Sequence, residues 1–334
     1  MDCRRRSADI KTGANFIEPE RRTFARYQEE VILFIQRHSE SENKMVSAAM
    51  DVVLRGGRPD DAERCGQICY EAFKTISQQH NFPEDFPSPE PAIGLLTFLL
   101  SHKDVHSVVA EVDGKVVGSN FLWEQEHVAG VGPITVDPQS QNSTIGRRLM
   151  DAVLRRAEER GFASVRLVQA AYHNRSLSLY TKLGFDTREP LSLINGPALN
   201  FKLSSHAVRA ANENDREACN ALCFRVHGHI RNMELVDAIN QGTADVVEQN
   251  GRITGYTTGI SFLGHAVCES NEDLKALIGA AAEFQGPGFL LPTRNSEVFR
   301  WCLENGLRVI QPMTLMSRGL YNEPRGAFLP SVIY

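Results

Sequence analysis

The chain is poor in the residues that staple or anchor a protein. Seven cysteines are scattered through 334 residues, too few and too evenly spread for a disulfide framework. Near the N-terminus the longest strongly apolar run is Val31 to Ile35, far short of a signal-peptide core or a membrane span. Cationic excess is missing too. Lys and Arg number 36 against 41 Asp and Glu, a net charge of −5, so no overall basic field draws the chain to nucleic acid. These absences predict a cytoplasmic protein with reduced thiols and neither a membrane nor a nucleic-acid partner. The hydrophobic share of 42% and the charged share of 23% are ordinary for globular proteins, which excludes a wholly disordered or collagen-like chain. The length predicts about two domains, so an internal repeat is the first thing to seek.

Residues 1–50 read differently from the rest. Phe24, Tyr27, Val31, Phe34 and Ile35 fall at helical spacing, which predicts one amphipathic helix over 19–38. Ser39-Glu40-Ser41-Glu42-Asn43 then reads as a linker. Met45 and Met50 stand just before the first convincing strand. The segment therefore reads equally well as a helical or disordered appendage and as an extension ahead of the native start.

From Asp51 the pattern is regular. Val52-Val53-Leu54 is a short strand, and Pro59-Asp60-Asp61 suits a helix start. Ala62, Cys65, Ile68, Cys69, Ala72, Phe73 and Ile76 recur at three and four, one buried helix face. A loop with four prolines (Pro83, Pro87, Pro89, Pro91) leads to an apolar helix near Ile93–Leu100. Two strands flank Asp113-Gly114, a hairpin signal. A fourth strand is expected at Gly132–Val136, a helix ending at Gly161, a fifth strand at Val165–Gln169 and a short helix ended by Gly184.

Ala207–Cys223 lays over Val53–Cys69 without a gap, matching Arg55 to Arg209, Asp61 to Asp215, Cys65 to Cys219 and Cys69 to Cys223. Val109-Ala110-Glu111 then matches Val246-Val247-Glu248, Gly132 matches Gly264, and Asn174 and Gly184 match Asn295 and Gly306. The shared order predicts two copies of one α/β unit, at 51–204 and 205–320, with a tail at 321–334.

The first copy carries the chemistry. Val131–Pro138 is a strand running into the loop Gln141-Asn142-Ser143-Thr144-Ile145-Gly146-Arg147-Arg148, which opens a helix. Backbone N–H groups of such a loop and helix start form an anion site suited to a pyrophosphate. Further on comes Asn174, then Leu179-Tyr180-Thr181-Lys182-Leu183-Gly184-Phe185. Loop, Tyr-x-x-x-Gly-Phe run and element order together resemble the GNAT family of acyl-CoA-dependent N-acyltransferases, and the whole is similar to its tandem two-domain members. The resemblance implies a mixed α/β fold, with a mostly antiparallel sheet flanked by helices present as two tandem copies.

It also implies roles. Ile134, Thr135 and Val136 would lie on a splayed strand whose backbone pairs with pantetheine amides. Gln141, Asn142, Ser143, Thr144, Ile145, Gly146 and Arg147 would wrap the pyrophosphate of acetyl-CoA. Tyr180 would hold the sulfur and protonate the leaving thiolate, and Asn174 would bond the pantetheine arm or a relay water. The base is open among Glu124, Glu126, His127 and Asp137, with Glu126 the first choice, and the family often works through a water chain. Thr144 departs from the family's first loop glycine. Either the loop keeps φ negative there or cofactor affinity is lower.

The expected activity is acetyl transfer from acetyl-CoA to the amine of a small-molecule or amino-acid-like acceptor. An acyl-CoA sensor or scaffold without turnover is the rival. No metal is expected: the paired cysteines at i, i+4 fall on apolar faces and read as core, and His227 and His229 read as loop residues. One of Arg147 and Arg148 belongs to a solvated face. In the second copy Glu269, Glu272 and Asp273 occupy the phosphate-loop position without a glycine, and Trp301 or Cys302 replaces the tyrosine. That half should bind no acyl-CoA, leaving it to wall the acceptor pocket or to mediate homodimerisation.

Overall fold

The computed structural model describes residues 51–141 and 144–333. The helix expected over 19–38, and Asn142 and Ser143 of the loop, lie outside the described residues. The first half runs β1 (Val52–Gly56), α1 (Ala62–Gln79), α2 (Pro89–Ser101), β2 (Val105–Val112), β3 (Lys115–Trp123), β4 (Val128–Val131), β5 (Thr135–Val136), α3 (Ile145–Arg160), β6 (Ser164–Ala170), α4 (Asn174–Lys182) and β7 (Asp186–Asn195). The second half repeats the plan. Its elements are β8 (Ala207–Ala210), α5 (Arg216–His227), α6 (Asn232–Gln241), β9 (Asp245–Gln249), β10 (Arg252–Thr257), β11 (Ala266–Cys268), α7 (Asn271–Ala280), β12 (Phe289–Pro292), α8 (Ser296–Glu304), β13 (Arg308–Gly319) and β14 (Ala327–Leu329).

The repeat is visible in an ion-pair network that both halves build. Arg55 spans Asp61 and Glu111, each at 2.7 Å. Arg209 spans Asp215 at 2.7 Å and Glu248 at 2.5 Å. In each case the arginine fastens the first strand to the start of the first helix and to the second strand. Cys65, Cys69, Cys219 and Cys223 are fully buried on those helices, as small apolar packing residues.

Helices cover both faces of the first sheet. Leu149, Met150, Val153 and Leu154 of α3 pack on one face, and Cys65, Cys69, Leu96 and Leu99 of α1 and α2 on the other. The sheets themselves are not divided at residue 204. One nine-stranded sheet runs β1-β2-β3-β4-β6-β13-β7-β12, with β5 on β3, and a second runs β14-β11-β10-β9-β8. Strand β13 of the second half is inserted between β6 and β7 of the first, antiparallel to both. Strand β7 in turn carries β12 on its far edge.

Three expectations are corrected. The strand foreseen at Gly132–Val136 is only Thr135–Val136, with β4 ending before it at Val131, because Pro133 has no N–H to give to a ladder; the Gly132–Pro133 peptide is cis. The tail foreseen at 321–334 contributes β14, paired with β11 from Ala266↔Leu329 to Cys268↔Ala327. Gly326 makes that approach feasible, since a Cβ there would lie 2.2 Å from the Cys268 carbonyl oxygen. His227 ends α5 rather than lying in a loop, whereas His229 does lie in the loop after it; both are buried, with the His227 ring edge-on to Phe328 at 5.2 Å.

Gly326→Val should overpack this junction and cost about 1–3 kcal/mol, seen as a lowered thermal midpoint. Gly56→Ala, with nothing within 4 Å of its added Cβ, should leave the midpoint nearly unchanged. The ion-pair networks give a second expectation. Hydrogen bonds from Arg55 hold Asp61 below the usual carboxylate range, and those from Arg209 do the same for Asp215. That stabilisation is complete above the unfolded-state pKa of about 4 and is lost as pH falls through the lower folded value. Asp61→Asn should therefore lower the midpoint at pH 7 and flatten its fall in acid, measured by thermal unfolding across pH.

Candidate active site

The site opens where two strands part. β4 and β6 pair in parallel only from Val128↔Ser164 to Gly130↔Arg166. Past that point the chain reaches Gly132–Pro133, and β5 hydrogen-bonds only to β3 (Gly118↔Val136, Ser119↔Thr135). Its register is one residue out of step with β4 (Leu122↔Val131), a bulge that turns the strand away from β6. A cavity of about 900 Å³ fills the gap, with Ile134, Thr135 and Val136 on one side and Leu167 to Ala170 on the other. The far edge of β5 thus borders the cavity with no strand paired to it among the described residues, its Val136 carbonyl accepting from the Gln141 side chain.

Helix α3 starts at the same cavity. Thr144 is its N-cap, at φ −75° and ψ 3°, and makes no side-chain capping bond. The loop therefore keeps φ negative there, and the β-branched residue is accommodated. Among the described residues, the first helical N–H to find a partner is that of Arg148, which donates to the Thr144 carbonyl at 2.9 Å. The amides of Ile145, Gly146 and Arg147 precede it, in the turn where a helix offers unpaired donors and the positive end of its dipole. Gln141, Gly146 and Arg147 line the cavity. Gln141 is held by its own donation to the Val136 carbonyl at 3.3 Å and by Arg175 at 3.5 Å. Ile145 points its side chain into the core, and Arg148 lies exposed off the cavity.

Tyr180 of α4 is buried and reaches the cavity wall. Burial pushes its phenol up to about 12, against the opposing effect of a hydrogen bond from Ser176, so it stays protonated through the neutral range. The Ser176 hydroxyl also meets His173 Nδ1 at 2.7 Å. Burial holds His173 down to about 4, which keeps its imidazole neutral. A line of three cavity residues, Tyr180, Ser176 and His173, is thereby joined through hydrogen bonds. Asn174 does not join it: it is exposed at the start of α4 and does not line the cavity.

The four candidate bases lie elsewhere. Glu126 is a correction, for its carboxylate faces the start of α6, where it accepts from the Met233 N–H at 3.2 Å, and it does not line the cavity. Glu124 is engaged by Arg156 at 2.5 Å and Arg160 at 3.4 Å. Asp137 pairs with Arg64 at 2.5 Å and accepts from the Gln139 N–H at 2.9 Å. His127 does not line the cavity either. Sequence position put all four at strand ends, but the strand break at Pro133 and the packing of α6 aim them away.

Two cavity residues escaped the sequence reading. Gln169 is 6% exposed, and among the described residues neither atom of its side-chain amide has a hydrogen-bond partner. A buried unpaired amide is costly, and this one lines the cavity. Its signal was a polar residue in a strand buried along most of its length. The other is Asp85, in the proline-rich loop, whose carboxylate accepts from Ser77 at 3.1 Å and from Gln311 at 3.3 Å. Gln311 belongs to β13, so no reading of the first copy alone would have found that partner.

The second half shows the same places filled. β11 pairs with β14 along the residues that align with Ile134–Val136. The start of α7 is closed by a capping box, with Ser270 accepting from the Asp273 N–H at 3.2 Å and Asp273 accepting from the Ser270 N–H at 3.1 Å. Trp301 packs edge-on against Phe201 at 5.3 Å.

Comparison with known proteins agrees with this geometry. The acetyltransferase (GNAT) family model matches residues 70–185. An uncharacterized N-acetyltransferase of Methanocaldococcus jannaschii is 24% identical, covering 47% of this chain and 77% of that protein. Among solved structures, a candidate acetyltransferase of Pyrococcus horikoshii aligns over 87% of this chain and 95% of its own, with a TM-score of 0.64 at 15% identity. A tandem GNAT protein from the clavulanic acid biosynthesis pathway aligns over 80% of this chain and 98% of its own, with a TM-score of 0.51 at 12% identity. Residues 70–185 thus match the GNAT family model, and the chain has the mixed, mostly antiparallel sheet and flanking helices of that fold. Among the described residues no helix is long and apolar enough to cross a membrane.

Proposed function

We propose that this protein is an acyl-CoA-dependent N-acyltransferase that moves acetyl from acetyl-CoA directly to the amine of a small acceptor. One observation carries the reading: the free edge of β5, the uncapped start of α3 and Tyr180 all border one cavity. The edge of β5 suits the pantetheine amides as an added strand would. The amides of Ile145, Gly146 and Arg147, with the Arg147 guanidinium, suit the pyrophosphate. Asn142, Ser143 and Thr144 belong to the same loop in this proposal. The Gln169 amide gains the partners it lacks by bonding the acyl or pantetheine end of the donor.

Transfer then needs little covalent work from the protein. The acceptor nitrogen attacks the thioester carbonyl, and the carbon–sulfur bond breaks with its electron pair passing to sulfur. Tyr180 donates its proton to that sulfur, and a proton released by the acceptor nitrogen returns to Tyr180 through Ser176. The role first expected of Glu126 is withdrawn because the carboxylate is turned to α6. The sensor reading rested on Thr144 and on the missing obvious base; the negative φ of Thr144 removes the first of these objections.

Calorimetry should detect acetyl-CoA binding, and the absence of binding at millimolar donor would overturn the assignment. Gly146→Glu should abolish most of that binding, by about tenfold or more, because it sets a carboxylate at the phosphate site. The same charge favours a helix N-terminus, so the thermal midpoint should hold or rise slightly. Tyr180→Phe should lower turnover by about 100-fold while donor affinity stays within a few-fold. Wild-type turnover in that variant would remove the acid role.

A further inference from the structure

This inference rests on the acyltransferase reading and concerns the acceptor. The end of the cavity away from α3 is built by both halves. Phe73 and Phe86 come from α1 and the loop after it, Phe98 and Trp123 from α2 and β3, Met313 from β13, and Ile333 from the segment after β14. Such a lining favours an apolar, ring-sized body.

Its charges have one sign. Asp85, Glu234 and Asp237 line the cavity, whereas Arg147 and Arg175 supply all the Lys and Arg in the lining, and both stand by Gln141 at the α3 end. Glu234 is already engaged, by Arg231 at 2.7 Å and His265 at 2.8 Å, and Asp237 is exposed. Asp85 differs from both. It is partly buried, and each of its oxygens accepts one bond, from Ser77 and Gln311. Gln311 is fixed in turn by Tyr172, whose hydroxyl donates to its carbonyl oxygen at 3.1 Å, and the Tyr172 ring stacks on Phe82 at 4.1 Å. A carboxylate has room for about four hydrogen bonds, so Asp85 is a rigidly held anion with capacity left toward the cavity. Burial raises its pKa above the ordinary carboxylate value, in the direction that makes it a better proton acceptor.

We propose that the acceptor is a primary amine on an apolar, ring-sized body without a carboxylate, and that Asp85 receives its ammonium and takes its proton. The ammonium gives one proton to Asp85, and the freed lone pair forms the new carbon–nitrogen bond. As the carbon–sulfur bond breaks, sulfur takes the Tyr180 proton, a second nitrogen proton restores Tyr180 through Ser176, and Asp85 releases its own to water. An amino acid fares badly here, because its carboxylate would enter a cavity that Asp85 and Asp237 line, with the lining's Lys and Arg confined to Arg147 and Arg175. The amino-acid-like acceptor expected from the family resemblance is set aside in this proposal.

The matched probes are 2-phenylethylamine and phenylalanine, which differ by the carboxylate alone. With the full chain and acetyl-CoA, release of free thiol should be at least about 100-fold faster in kcat/KM for the amine. Equal use of the two, or use of phenylalanine alone, overturns the substrate class, as does turnover of neither by a chain that binds acetyl-CoA. Asp85→Asn should lower kcat/KM for the amine by about 100-fold with acetyl-CoA affinity unchanged. Retention within threefold overturns the role of Asp85. The probe comparison uses the unaltered chain, so it decides the substrate class even if the variant misfolds. Failure to bind acetyl-CoA at all defeats the acyltransferase reading itself, which separates the two failures.

Discussion

The pairing of β7 with β13 governs the rest of the molecule. Along it, β7, the last strand of the first half, lies antiparallel to β13, the last long strand of the second, from Arg308↔Asn195 to Ser317↔Asp186. β6 lies outside one of these strands and β12 outside the other. The order β6-β13-β7-β12 reads the same when the halves are interchanged, so two copies of one unit share a single hydrogen-bonded seam. A strand in the middle of a sheet has no unpaired edge to protect, and neither half has its sheet complete without the other's last strand. The acceptor end of the cavity inherits this arrangement, because Gln311 and Met313 reach it on β13.

Within that shared frame the copies have diverged at two backbone positions. One copy leaves a strand edge free at Ile134–Val136 and a helix start uncapped at Thr144. The other pairs the same edge with β14 and closes the same helix start with Ser270 and Asp273. Unpaired backbone donors and acceptors are tolerated in a native protein chiefly where a ligand or water satisfies them. The contrast therefore separates a half built to receive something from a half that has satisfied itself, by backbone chemistry rather than by any one side chain.

Much of this was legible in the sequence because it is local. The helix face from Ala62 to Ile76, the hairpin at Asp113-Gly114, the helix stop at Gly161 and the two arginine networks all follow from periodicity, turn residues and a gapless repeat. Gly146, Arg147 and Tyr180 were legible because short motifs fix them on the backbone. The base was not. Strand ends near Glu126 are close in sequence to the cofactor strand, yet where a carboxylate points depends on the break at Pro133 and on α6, more than a hundred residues away. Asp85 gives no signal within its own loop, since its partner Gln311 stands 226 positions further on. β14 was read as a tail because three residues carry too little pattern to announce a strand.

The inserted position of β13 also sets the timing of assembly. Ala170 waits for Met313, so a chain emerging from the ribosome must make β7 and then more than a hundred further residues before β6 meets its second neighbour, β13. Contacts that distant in sequence are slow to form, and until they do the first half holds open strand edges of the kind that recruit stray strands. A truncated product ending before Arg308 would contain every residue of the donor loop and still lack a wall of its acceptor chamber. The cavity is thus completed only after nearly the whole chain has been made and folded back on its start.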